Sequence, residues 1–337
     1  MSKTSPTMGF PEIAHIHPIV IKLSGFGDLV SSNMYVVGSR PFTLIDAAPK
    51  FPGSFEAVTS QMSQAGINLT DIERIIITHG HIDHYGLAKT ISEAVPHPVE
   101  CFVHEQDAWR LSSDYFKNNT WDNQSEQFAL FTGIPQYAVD RVKKRSQFYK
   151  RFGDPLDNVQ TMRDGDVFTC KDFELRVIHT PGHSPGSCCI YEPQSRVLFS
   201  GDHLIKHISP NPFHEINRSR LKDPGYQSLV AFDKSLEKVL NIQARFAFSG
   251  HGEYIDDIPA IVNTYRYHHR ARMDKILEIL CQKPGTIYSL LETIFPSLDQ
   301  GEIYLAISEI TVHLEVLINQ GRAVLLEQGP PGIYGAA

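Results

Sequence analysis

The chain has 337 residues, 42% of them apolar and 20% charged, which suits one large or two ordinary globular domains. A formal net charge of −7 works against any general attraction to nucleic acid or anionic membrane. Cys101, Cys170, Cys188, Cys189 and Cys281 form no C-x-x-C pair, so neither a disulfide framework nor a cysteine zinc site is suggested. Met1 to His17 does not read as a signal peptide, and no apolar run is long enough to span a bilayer; a reducing cytoplasm is expected.

In chain order, His17 to Leu23, Asn33 to Gly38 and Phe42 to Asp46 read as strands, with a turn at Gly25 to Asp28. Pro52 to Gly66 carries Phe55, Val58, Met62 and Ala65 at helical spacing. Ile72 to Thr78 is a β-branched strand, Tyr85 to Ala94 a helix and Val99 to Val103 a strand. From about 105 to 158 the character changes to a helical insertion, with a basic run at Arg141 to Arg151. It reads first as a packing helix pair and second as a lid over a site. Strands resume at Asp166 to Thr169, Phe173 to His179, Ser187 to Tyr191 and Arg196 to Ser200. A helix over Pro224 to Leu240 and a strand over Arg245 to Phe248 follow. Pro259 opens a long helix; helices at Ser289 to Phe295 and Gly301 to Asn319 and a hairpin then give a winged-helix pattern. The expected division is 1–258 and 259–337.

The chemistry concentrates at strand ends. Thr78-His79-Gly80-His81-Ile82-Asp83-His84 puts three histidines and an aspartate directly after Ile75-Ile76-Ile77. Imidazole and carboxylate suit zinc, iron or manganese. Four such groups exceed what one tetrahedral catalytic metal takes from so short a segment, so the stretch reads as half of a two-metal site. Three later strands end in similar polar turns beside a glycine: His179-Thr180-Pro181-Gly182-His183-Ser184, Ser200-Gly201-Asp202-His203 and Ser249-Gly250-His251-Gly252.

Taken together, H-x-H-x-D-H, T-P-G-H-S, S-G-D and S-G-H-G resemble the metallo-β-lactamase superfamily over about residues 17 to 258. That resemblance implies an α/β fold, the four-layer αββα sandwich, with metals at one edge of the two sheets. It implies that His79, His81 and His183 hold one metal, Asp83, His84 and His251 a second, and that Asp202 bridges. Asp46 would support the ligands from behind, and His203 would line the pocket or back the ligands. The cofactors implied are two divalent metal ions, zinc first, with iron or manganese as alternatives. The long helix with Tyr267-His268-His269-Arg270-Ala271-Arg272 and the small unit after it are similar to the subfamily of β-lactamase-like protein 2. That subfamily includes an endoribonuclease and thioesterases that release polyketides from carrier proteins.

The expected activity is metal-dependent hydrolysis of a thioester, ester or lactone, small or carrier-bound, by a metal-bridging hydroxide that Asp83 orients. Endoribonuclease action on single-stranded RNA is the alternative, and a mononuclear-iron persulfide dioxygenase a further one. From Pro259 onward there are six cations against eight anions, and the helix Gly301 to Asn319 carries three glutamates and no Lys or Arg. A helix meant for phosphates should be basic, so nucleic acid is disfavoured as a partner. No membrane partner is expected; family analogy admits a homodimer.

Overall fold

The structure, a computed structural model, describes residues 9–23, 29–117, 121–216, 221–299 and 301–337. The turn read at Gly25 to Asp28 lies outside them. Six strands form a first sheet in sequence order: β1 (Ile16–Lys22), β2 (Ser31–Val37), β3 (Phe42–Ile45), β4 (Ile72–Ile76), β5 (Glu100–His104) and β6 (Gln160–Met162). β1 to β3 are antiparallel; β3 to β6 are parallel. The second sheet holds β7 (Val167–Thr169), β8 (Glu174–His179), β9 (Cys188–Glu192), β10 (Val197–Gly201) and β11 (Phe246–Ser249), in the order β11-β10-β9-β8-β7. Only β10 and β11 pair in parallel there.

Strand alternation decides which layer each side chain joins. In β10, Val197 and Phe199 enter the interior between the sheets with Tyr35, Ile76, Val177 and Ile190. Leu198 points the other way, onto Phe232, Leu236 and Val239 of α7 (Ser228–Ile242) and Val262 and Tyr265 of α8 (Ile258–Gln282). On the far side of the first sheet, Val58 and Met62 of α1 (Ser54–Gln64) and Ala88 and Ile91 of α3 (Ala88–Ala94) pack against Met34, Leu44 and Ile75. The result is helix, sheet, sheet, helix. Each fully buried side chain of this size contributes roughly 1.5–3 kcal/mol.

Two local differences from the sequence reading have plain causes. The helix expected over Tyr85 to Ala94 is two: α2 (Ile82–Tyr85) and α3. The break falls where the Leu87 amide donates to the Ala47 and Ala48 carbonyls of the neighbouring loop. β6 escapes notice because Gln160 and Thr161 are exposed and only Met162 is buried, too short for an alternation.

The insertion consists of α4 (Ser113–Lys117), α5 (Asn123–Thr132) and α6 (Gln136–Tyr149), with 3-10 turns at Ala108–Leu111 and Lys150–Phe152. After α8 come α9 (Ile287–Ile294), α10 (Ile303–Asn319) and the hairpin β12 (Ala323–Glu327) with β13 (Ile333–Ala336). Insertion and C-terminal segment share one core: Ala138, Phe128 and Phe131 pack with Leu280, Leu290, Ile310 and Leu314. α10 buries side chains on all its faces, as a core helix does. Among the described residues, no helix is long and apolar enough to cross a membrane.

Candidate metal centre

Three strand ends, β4, β10 and β11, and the loop after β8 bring the seven expected donors to one edge of the sandwich. His79, His84, His183, Asp202 and His251 are buried, while His81 and Asp83 stay partly exposed, so the centre opens on their side. His81 Nδ1 lies 3.0 Å from both His79 Nε2 and His183 Nε2. His251 Nε2 lies 3.2 Å from His84 Nε2 and 3.4 Å from Asp83 Oδ2. Asp202 sits between: Oδ1 is 3.2 Å from both His84 and His251 Nε2, and Oδ2 is 3.5 Å from His183 Nε2.

The outward nitrogens fix the tautomers. His251 Nδ1 donates to the Ser31 carbonyl (2.5 Å) and His183 Nδ1 to the Asn211 carbonyl (3.0 Å), both acceptor-only groups. His84 Nδ1 donates to Asp46 Oδ2 (2.8 Å). Thr78 Oγ1 donates to the same carboxylate (2.9 Å) and so accepts from His79 Nδ1 (3.2 Å). In its neutral form each of these imidazoles therefore aims a lone pair inward, toward carboxylate oxygens that carry lone pairs too. Asp202 Oδ1 has no hydrogen-bond partner among the described residues. Buried lone pairs facing one another at such distances are reconciled by a cation, and the donor set fits a metal ion. Three overlapping groups, His79/His81/His183, His79/His84/Asp202 and Asp83/His84/His251, each have their donor atoms within 4.8 Å.

Protonation follows the same division. Burial, reinforced by neighbouring histidines, lowers the pKa of His79 and brings His81 to about 3; burial also lowers His183. These rings stay neutral, the form that ligates metal. Burial opposes charging of His84 and His251 as well, but the Asp202 carboxylate, with Asp46 or Asp83, outweighs it and raises both, His251 to about 10. A proton and a metal ion compete for those two nitrogens.

The profile of the Metallo-beta-lactamase superfamily matches residues 27–251. The chain belongs to that superfamily. Among relatives, it is 26% identical over 296 residues to the "Probable metallo-hydrolase YqjP" of Bacillus subtilis, covering 86% of this chain and 88% of that one. It is 23% identical over 322 residues to the "Atrochrysone carboxyl ACP thioesterase" of Claviceps purpurea, covering 92% and 83%. A metallo-beta-lactamase family protein from Thermus thermophilus superposes with a TM-score of 0.80 at 25% identity, covering 96% of this chain and 99% of that one. The chain is accordingly a metal-dependent hydrolase, a member of a superfamily that typically binds metal ions.

Within this superfamily fold, the supports of the donors divide into read and unread. Asp46 stands where expected, at the end of β3 with φ +60°, and also accepts from the Thr78 amide (2.7 Å). A non-glycine residue in the left-handed region is strained, and here three hydrogen bonds to one carboxylate hold it. His203 is buried behind Asp202, edge-on to Phe232 at 4.9 Å, and its ring makes no hydrogen bond to any donor side chain. His179 lies outside the cluster, stacked on His104 at 3.9 Å.

Asp107 is a site residue that the sequence reading misses. It is fully buried, and its carboxylate accepts from Gly80 N (2.8 Å), Ser184 Oγ (2.6 Å) and Gly186 N (3.1 Å). It thus ties the His79–His81 loop to the His183 loop. A Cβ at Gly186 would come within 2.6 Å of the Asp107 carboxyl carbon, so that position must be glycine. The available signal is a strand, β5, ending in His104 with an acid three residues on. Ser31 and Asn33 at the start of β2 are missed as well. Asn33 Nδ2 donates to the Ser249 (3.0 Å) and Gly252 (2.9 Å) carbonyls, clasping the loop that carries His251. Buried polar residues opening an otherwise apolar strand are the clue.

The mouth is lined from several elements. Phe213 meets His81 and His183 edge-on, at 5.2 and 5.1 Å. Tyr304 of α10 stacks on Phe213 at 6.2 Å, so the C-terminal segment reaches the centre. Arg110 flanks Gly80 and pairs with Glu215.

Proposed function

We propose that the chain is a dinuclear hydrolase of thioesters, with esters and lactones as related substrates. The observation that carries this is the placement of Asp202, one oxygen toward His84 and His251 and the other toward His183. A carboxylate so placed suits a bridge between two ions. His79, His81 and His183 would hold one, and Asp83, His84 and His251 the other. Nitrogen and carboxylate donors of this kind favour zinc, with iron or manganese as alternatives. Bound there, the ions supply Lewis acidity and lower the pKa of a bound water toward neutrality.

The chain's own residues supply the rest. Asp83, partly exposed at the opening, orients the attacking water through its carboxylate. Asp46 and the Ser31 and Asn211 carbonyls keep the imidazoles aimed inward, so no reorganisation is needed when charge develops. Phe213 and Tyr304 present an aromatic wall suited to an acyl chain and exclude bulk water from it.

The thioesterase relative, whose match extends over 92% of this chain, supports the thioester reading. In this reading 259–337 is a winged-helix unit whose would-be recognition helix, α10, serves as core and pocket wall. The endoribonuclease alternative would bring phosphates past Glu302 at the start of α10, which is unfavourable. The persulfide dioxygenase alternative leaves Asp83, His84 and His251 without a purpose.

The test is a side-by-side assay of a generic acyl thioester and a single-stranded RNA, with metal content by elemental analysis. Close to two metal ions per chain and faster thioester turnover are expected. Faster RNA cleavage would transfer the assignment to the nuclease, and a single iron would transfer it to persulfide oxidation.

A further inference from the structure

α6 and the 3-10 turn after it are the electropositive part of an acidic chain. From Gln136 to Phe152 there are six cations, Arg141, Lys143, Lys144, Arg145, Lys150 and Arg151, against one anion, Asp140. Their arrangement is not uniform. Tyr137, Arg141, Lys144, Phe148 and Arg151 recur at steps of four, three, four and three, which is one stripe along a helix. All five are exposed, and Tyr137 (54%) and Phe148 (51%) are among the most exposed large apolar side chains of the described residues. Arg141, Lys144 and Arg151 make no ion pair among the described residues, unlike Lys143, which pairs with Glu126. The opposite face, with Ala138 and Val139, is buried. Two arginines and two aromatic side chains on one exposed stripe have the composition of a protein–protein hot spot.

The stripe also leads to the metal centre. Its last turn packs on α2, the helix that carries Asp83 and His84: the Phe152 carbonyl accepts from Lys50 N and lies where a Cβ on Gly86 would stand, 2.3 Å away. Tyr304 of α10, which stacks on Phe213 beside His81 and His183, follows two acids, Asp299 and Glu302, and Arg145 of α6 reaches Gly301 between them. A phosphodiester chain laid on the stripe would have to run past those acids to reach the donors. An acidic protein can stay outside on the stripe while an uncharged acyl arm enters.

The geometry points to Tyr137, Arg141, Lys144, Phe148 and Arg151 as the docking surface for an acidic carrier domain that presents the acyl group to the metal centre. This rests on the thioesterase reading and adds the partner to it. Charge complementarity of this type acts on encounter and weakens with salt.

The test uses full-length metal-loaded enzyme and two forms of one substrate: an octanoyl thioester on an acidic acyl carrier domain, and the same octanoyl thioester on N-acetylcysteamine. Arg141→Glu with Lys144→Glu should raise KM for the carrier-bound form by about tenfold or more with kcat unchanged, and should leave the small thioester untouched. Phe148→Ser should act in the same direction without changing charge. Binding of the fluorescently labelled carrier domain, read by anisotropy, should weaken in parallel and should weaken with salt only in the parent enzyme. Equal carrier affinity in parent and variants overturns the proposal. So does a loss confined to labelled single-stranded RNA, which gives the stripe to nucleic acid, or a dimer-to-monomer change in sedimentation, which gives it to a second copy of this chain. If the small thioester is not hydrolysed at all, the thioesterase reading fails, and the anisotropy alone still decides whether the stripe binds an acidic protein.

Discussion

The metal edge and α10 are built by opposite rules. At the edge, polar side chains are buried because each has a fixed partner: Asp46 serves Thr78 and His84, Asp107 serves Gly80, Ser184 and Gly186, and Asn33 serves the Ser249 and Gly252 carbonyls. In α10, the five residues Ile303, Ile307, Ile310, Leu314 and Leu317 bury one apolar face in the core shared with α9. One region depends on identity at each position, the other on volume and pattern. A single change at the edge should therefore cost chemistry with little stability, and a single change in α10 the reverse.

The sharpest way to break that contrast is Asp202→Ala. Turnover should fall by about a thousandfold or more and metal content should drop, with the far-ultraviolet circular dichroism intact. Loss of the fold would make the edge structural after all. Leu314→Ala should lower stability by about 3 kcal/mol in denaturant titration with metal content unchanged, because it leaves a cavity among Ile310, Leu317 and Leu290. Asp107→Ala should weaken metal binding about ten- to a hundredfold in chelator competition, since two donor loops lose their common anchor. An unchanged affinity with a lowered melting point would class Asp107 with α10 instead.

The smallest effect concerns an exception inside α10. Burial opposes charging of Glu309, but the hydrogen bonds from His268 and Arg272 and the Arg272 charge outweigh it and lower its pKa to about 2. A depressed folded pKa contributes stability above the unfolded value near 4.3, and that contribution is lost as pH falls from there toward about 2. Relative to Glu309→Gln, the parent should lose roughly 1–2 kcal/mol over that window in acid titrations of stability. Parallel acid profiles would show that the pair contributes nothing.

What the sequence disclosed follows the same contrast. The seven residues that the structure gathers at the edge were legible because strand-end His and Asp clusters are costly without a ligand, and the β-runs before them announce the strands. Asp46 was legible from its place at the end of β3. Asp107, Ser31 and Asn33 left only faint signals, an acid shortly after a strand-end histidine and polar residues opening an apolar strand, because the groups they hold lie far away in the chain. Asn33 and Gly252, for example, are 219 residues apart. The insertion was legible as helical, but its shared core with α9 and α10 was not, since helical spacing says which face is apolar and nothing about which element covers it. The spacing of Tyr137, Arg141, Lys144, Phe148 and Arg151 was present in the sequence throughout, but only the structure shows that theirs is the exposed face.

The separation of the donors along the chain also has a bearing on biosynthesis. His79, His81, Asp83 and His84 leave the ribosome together, but His251 follows 167 residues after His84. At about 5–20 residues per second, that is on the order of ten to thirty seconds of translation. During this interval the nascent chain presents a cluster of histidines without the β11 loop that confines them, and Tyr304, a wall of the finished mouth, is still to be made. A cation met at that stage would find four of the seven candidate ligands, and the full set exists only once the β11 loop has been made.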